Sequence, residues 1–111
     1  MREWHLYLVR TARGALYTGI TTDVARRVGQ HARGAGAKAL RARGPLTLVY
    51  QVALGERGCA LRAEHAIKRL GKAHKELLVT AQFDAPALIA SLGLKLPPLT
   101  RVRRRRDWSD S

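Results

Sequence analysis

Tyr7 and Tyr17 stand ten positions apart in the stretch LYLVRTARGALYTGIT, and RRVGQH follows soon after with Arg27 and His31. Plain hydrophobes would serve at all four places if the segment only had to fold. Arg27 falls inside the stripe of Val24, Val28 and His31 at helical spacing. A core helix would carry leucine or isoleucine there, because an unpaired buried guanidinium is costly. Arg27 and His31 are one turn apart and can point at the same spot, which suits a ligand; an internal ion pair is the alternative. Glu64 borders a second stripe of Ala60, Ala63, Ala66, Ile67 and Leu70, and it pairs at i, i+4 with Lys68. That pair alone is an ordinary feature of a surface helix. Glu64 gains weight as one of eight acids in a chain suited to phosphates. A hydrolase of phosphodiesters needs a carboxylate to hold a divalent metal.

Charge supports that reading. The chain carries +13 at neutral pH, with a pI near 11.4. Residues 101–111 hold five arginines and two aspartates, so the first 100 residues still carry 16 basic against 6 acidic side chains, a net +10. Such a body attracts polyanions, nucleic acid first among them. Compositional drift is the bland alternative, but drift alone would not leave so few acids. At 111 residues the expectation is one domain over residues 1–98 and a basic, disordered tail over 99–111. No apolar run approaches the roughly 18 residues of a membrane span, and MREWHLYLVR lacks a signal core. A cytoplasmic protein is expected, with no membrane partner and no small-molecule cofactor. Cys59 is the single cysteine, so an internal disulfide is excluded and the residue should pack as a small hydrophobe. The oligomeric state is left open.

The positioning elements follow from pattern. Residues 4–10 and 15–20 read as a β-hairpin with Gly14 in the turn. Strand alternation groups His5, Tyr7 and Val9 on one face. A turn centred on Ala12 would set Tyr7 directly opposite Tyr17. Gly19 would then leave that face open for a side chain or a phosphate. Thr22 or Asp23 caps a helix running to about Arg33, and residues 34–44 form a loop. Residues 46–54 make a third strand, residues 58–70 and 72–81 two helices, and Asp84 caps a short last helix over 85–92 before Pro97-Pro98. The order β-β-α-β-α-α, closed by that short helix, predicts an α/β (α+β) domain: a small three-stranded antiparallel or mixed sheet flanked by helices.

Tyr7, then Leu16-Tyr17-Thr18-Gly19, then Arg27 with His31, then Glu64 on a later helix: this order and spacing resembles the GIY-YIG nuclease superfamily, over about residues 4–80. In particular it looks like the small stand-alone bacterial members. HLY at 5–7 matches the GIY element at its tyrosine, and YTG at 17–19 matches the YIG element at tyrosine and glycine. The resemblance implies a metal-dependent DNA endonuclease in repair or processing. Glu64 would ligate a single Mg²⁺ or Mn²⁺, and Tyr17 or Tyr7 would help activate water. Arg27 would stabilise charge on phosphoryl oxygens, and His31 matches a position where some members have a functional histidine. Arg26, Lys38, Arg41, Lys68 and Lys75 are the expected nucleic-acid contacts. Three departures stand out: His5 for the first glycine, Ile20 where repair-type members carry lysine, and Glu76 where many carry asparagine. Lys75 or Lys38 could replace the missing polar groups. A DNA- or RNA-binding module with weak or no cleavage is the alternative.

Overall fold

The computed structural model describes residues 2–32 and 45–94. The loop expected over 34–44, with Lys38 and Arg41, and the tail expected over 99–111 lie outside those residues. Alternating apolar residues form β1 (Trp4–Arg10), which turns back into β2 (Leu16–Thr21). Within the turn, the Thr11 N–H donates to the Ala15 carbonyl and the Gly14 N–H to the Thr11 carbonyl, both at 2.9 Å. Gly14 closes it at φ +89°, which an L side chain adopts only with strain.

This turn is centred on Arg13 rather than Ala12, so the pairing lies two residues from the expected register. Tyr7 faces Gly19, and Tyr17 faces Val9. A two-residue shift keeps every side chain on its own face. The tyrosines therefore still share a face, diagonally rather than directly opposite.

The third strand, β3 (Thr47–Gly55), pairs with the other edge of β1, giving the order β2-β1-β3 with both pairings antiparallel. As the central strand, β1 buries Leu6, Tyr7, Leu8 and Val9 in succession, because helices cover both faces. Helix α1 (Val24–Ala32) covers Tyr7 and Val9 through Val24 and Val28. On the opposite face, α2 (Arg57–Lys68), α3 (Lys72–Ala81) and α4 (Ala85–Ser91) close the main core with Ile67, Leu78, Leu88 and Ile89 against Leu6 and Leu8. Cys59 is buried in that core, where desolvation pushes its thiol pKa up, and it packs as a small hydrophobe.

Aspartate side chains start two of the four described helices. Asp23 Oδ1 accepts the Arg26 N–H at 3.1 Å at the start of α1, and Asp84 Oδ1 accepts the Ala87 N–H at 3.0 Å at the start of α4. Each such cap contributes about 1 kcal/mol. Buried Tyr50 donates to the Phe83 carbonyl at 2.5 Å, tying β3 to the segment between α3 and α4. Burial pushes its hydroxyl pKa up to about 12, so it stays protonated. No helix among the described residues is long and apolar enough to cross a membrane.

Candidate active site

Strand β2 is a sheet edge, with α1 on one face and α2 on the other. Along that edge opens a cavity of about 460 Å³, lined by Tyr7, residues 16–20 of β2, Arg27, His31, Glu64, Lys68 and Lys75. Each of the five residues expected in a catalytic site lines this one cavity. They come from four elements: β1, β2, α1 and α2.

Tyr7 reaches the cavity by crossing Gly19. A Cβ built at Gly19 would lie 2.5 Å from Tyr7 Cζ and 2.9 Å from its Cε2, and closer still to the hydroxyl. The space expected at Gly19 is therefore filled by the Tyr7 ring. Beyond it, the Tyr7 hydroxyl meets His31 Nε2 at 2.9 Å, both residues being buried. His31 closes the apolar stripe of α1 as a polar group with a buried partner.

Burial raises the Tyr7 pKa above 10.0 despite the Arg27 guanidinium, which acts in the opposite direction. Burial, with Arg27 adding, pulls His31 below its ordinary 6.5. Near neutral pH the pair is thus a protonated phenol against a neutral imidazole. With the imidazole proton on Nδ1, the phenol donates and Nε2 accepts.

A pH dependence follows. Below 6.5 the unfolded imidazole takes up a proton that the folded one refuses. Stability should therefore fall on acidification through the window that begins there. Thermal melts from about pH 7.5 down to about pH 5 should show this slope in the parent, and His31→Gln should flatten it. Parallel slopes in the two proteins would mean that His31 is not held neutral by its surroundings.

Arg27 is half-buried and donates to Gln30 Oε1 at 3.2 Å. Among the described residues it joins no ion pair. It also lines a second, shallower cavity with Arg26, Trp4 and Asp23, which adjoins the first through Ile20 and Arg27. Arg26 is exposed and contributes only there. Glu64 lies across the main cavity on α2 with its side chain only 13% exposed, and Lys68 Nζ is 3.3 Å from its Oε2. Lys75 reaches the same cavity from α3.

Glu76 is the clearest departure from expectation. It is not a weakened site residue, because it does not line the cavity. Arg10 grips it with two bonds of 2.7 Å, and Lys72 lies 3.5 Å away. The Arg10 guanidinium holds the Glu76 carboxyl down at about 2. The clasp joins the end of β1 to α3, the helix that carries Lys75. Sequence reading missed Gln30, although its i+3 spacing from Arg27 is a readable signal. It also missed Leu16 and Thr18 as lining residues, which follow once β2 is known to be an edge.

A family model for the GIY-YIG catalytic domain matches residues 3–77. The chain belongs to the GIY-YIG family. It is 61% identical over 92 residues to a UPF0213 protein of Citrobacter koseri, covering 83% of this chain and 92% of that relative. A UPF0213 protein of Yersinia pestis is 57% identical over 91 residues, covering 82% and 93%. The solution structure of the protein EF2693 from E. faecalis superposes with a TM-score of 0.53 at 30% identity, over 73% of this chain and 86% of that one. Membership places the chain in a nuclease superfamily whose substrate is nucleic acid.

GIY-YIG nucleases are generally dependent on a divalent metal, and the cavity's donors suit one. Among the described residues no three His, Cys, Asp or Glu side chains cluster, so a closed protein cage is not formed. Among the described residues Glu64 is the single acid lining the cavity, and it already holds a cation, the Lys68 ammonium. One carboxylate, with substrate phosphate and water completing the shell, is an ordinary Mg²⁺ arrangement.

Proposed function

We propose that the β2-edge cavity is the catalytic centre of a divalent-metal-dependent DNA endonuclease. The observation that carries this is the convergence of Tyr7, Tyr17, Arg27, His31 and Glu64 on one cavity. A module that only bound nucleic acid would have no use for a carboxylate there. Glu64 would hold Mg²⁺ or Mn²⁺, which supplies Lewis-acid stabilisation of charge on the phosphoryl oxygens.

The chain's own groups do the rest. Tyr7 is oriented by His31 and by the ring's seat on Gly19. As an attacking water adds to phosphorus, its proton passes to the Tyr7 oxygen while the Tyr7 proton passes to neutral His31 Nε2. The P–O bond to the leaving oxygen breaks, and that oxygen regains a proton from solvent. Tyr17 positions the water or the phosphate, and it is the alternative base. Arg27 supports the developing charge on the non-bridging oxygens. Lys75 brings positive charge to a cavity in which Ile20 is apolar.

Ile20 favours a second reading, a binding module on the same scaffold, since it puts an apolar side chain on the cavity wall. A substrate panel separates the two. End-labelled duplex DNA, branched DNA and RNA would be incubated with Mg²⁺, Mn²⁺ or EDTA. Cleavage of DNA that EDTA abolishes supports the nuclease. Binding with no cleavage of any DNA under either metal favours the module, and cleavage confined to RNA would move the substrate assignment.

A further inference from the structure

We propose that Lys68 is a tethered competitor for the cation site at Glu64, displaced when a divalent metal binds and then free to meet substrate phosphate. The inference rests on Glu64 being the metal ligand. Glu64 and Lys68 are one turn apart on α2, and both line the cavity. Their charged atoms are 3.3 Å apart, a direct ion pair.

The two partners differ in freedom. The Glu64 side chain is 13% exposed and sunk in the wall, whereas Lys68 is 55% exposed. A carboxylate so enclosed has little room for two cations. Among the described residues no second acid lines the cavity, so an incoming divalent ion and the Lys68 ammonium compete for one negative charge. The lysine is the partner that can leave, because its ammonium sits on a flexible four-carbon stem with rotatable donors.

Once displaced, Lys68 still lines the cavity together with Lys75 and Arg27, where its charge can meet phosphate. Phosphate draws the ammonium away from Glu64, and metal at Glu64 releases it toward phosphate. Metal and nucleic acid then strengthen each other's binding, and linkage makes that coupling reciprocal. The arrangement keeps the metal site weak until substrate arrives. Lys68 is thus a positioning residue whose effect shows in metal affinity.

The test is Mn²⁺ binding without DNA, followed by the electron paramagnetic resonance signal of free Mn²⁺ with the full chain. Lys68→Met keeps the stem and removes the charge, and Lys68→Gln serves as a second variant. Both should bind Mn²⁺ about two- to fivefold more tightly than the parent, the range expected on removing a competing ion pair whose lysine is half-exposed. The gain should shrink as salt is raised. Glu64→Gln should lose the binding. Unchanged or weaker Mn²⁺ affinity in both Lys68 variants, with binding still lost in Glu64→Gln, would overturn the competitor role and leave the Glu64 assignment standing. Mn²⁺ affinity indifferent to Glu64→Gln would overturn the metal assignment itself.

Discussion

Glu64→Gln is expected to lower metal-dependent DNA cleavage by about a thousandfold or more, the largest effect of any single substitution in this chain. A bound metal supplies several kcal/mol of transition-state stabilisation, and each 1.36 kcal/mol is about tenfold in rate. Glutamine keeps the size and much of the hydrogen bonding while removing the charge proposed to hold the cation. Loss of the Lys68 pair should cost little, since pairs of this exposure are worth at most about 1 kcal/mol. DNA affinity should stay level or rise, because a negative charge has left the cavity proposed to receive phosphate. Single-turnover nicking, gel shifts and a thermal melt on the same preparations check all three statements. A variant that cuts at the parental rate would remove Glu64 from the mechanism.

Gly19→Ala is expected to damage both fold and function. Glycine to alanine inside a strand ordinarily stabilises by a few tenths of a kcal/mol to about 1 kcal/mol, so here the sign itself is informative. The added methyl would meet Cζ and Cε2 of Tyr7 at 2.5 and 2.9 Å. The ring is buried and cannot swing away without disturbing Val9 and Val24, which pack with it. Overpacking of this kind costs about 1–3 kcal/mol, or roughly 4–20 °C in melting temperature for a domain of this size. Displacing the Tyr7 hydroxyl by about 1 Å also breaks its alignment with His31 and should slow cleavage about a hundredfold. The double variant Gly19→Ala with Tyr7→Leu should recover stability and not activity. A Gly19→Ala protein as stable and active as the parent would show that the tyrosine does not need this seat.

The extent to which the sequence foretold this arrangement varies with the kind of information each residue carries. Alternation in WHLYLVR and the caps at Asp23 and Asp84 are local signals, and the corresponding strand and helices lie where they indicate. The convergence of Tyr7, Tyr17, Arg27 and His31 was legible because strand parity and helix stripes fix direction, whereas Glu64, on the helix across the sheet, was joined to them by the family resemblance. Parity also survives the two-residue register difference, which came from Thr11 closing the turn one residue later than a simple centring implies.

Long-range partners were not legible. Glu76 is claimed by Arg10, 66 positions away, and no local pattern announces that bond. The space at Gly19 was expected to admit a side chain or a phosphate, and only the register shows that the Tyr7 ring takes it. The direction of the Tyr7 pKa depends on burial outweighing Arg27, a contest that only packing decides.

The most direct test of the central claim is nicking of supercoiled plasmid by the purified parent protein, with Mg²⁺ and with EDTA, at protein concentrations where a gel shift shows the DNA bound. The account predicts conversion to nicked circles in Mg²⁺ and none in EDTA, at equal occupancy of the DNA. Fully bound plasmid that stays supercoiled in Mg²⁺ and equally in Mn²⁺ would contradict it.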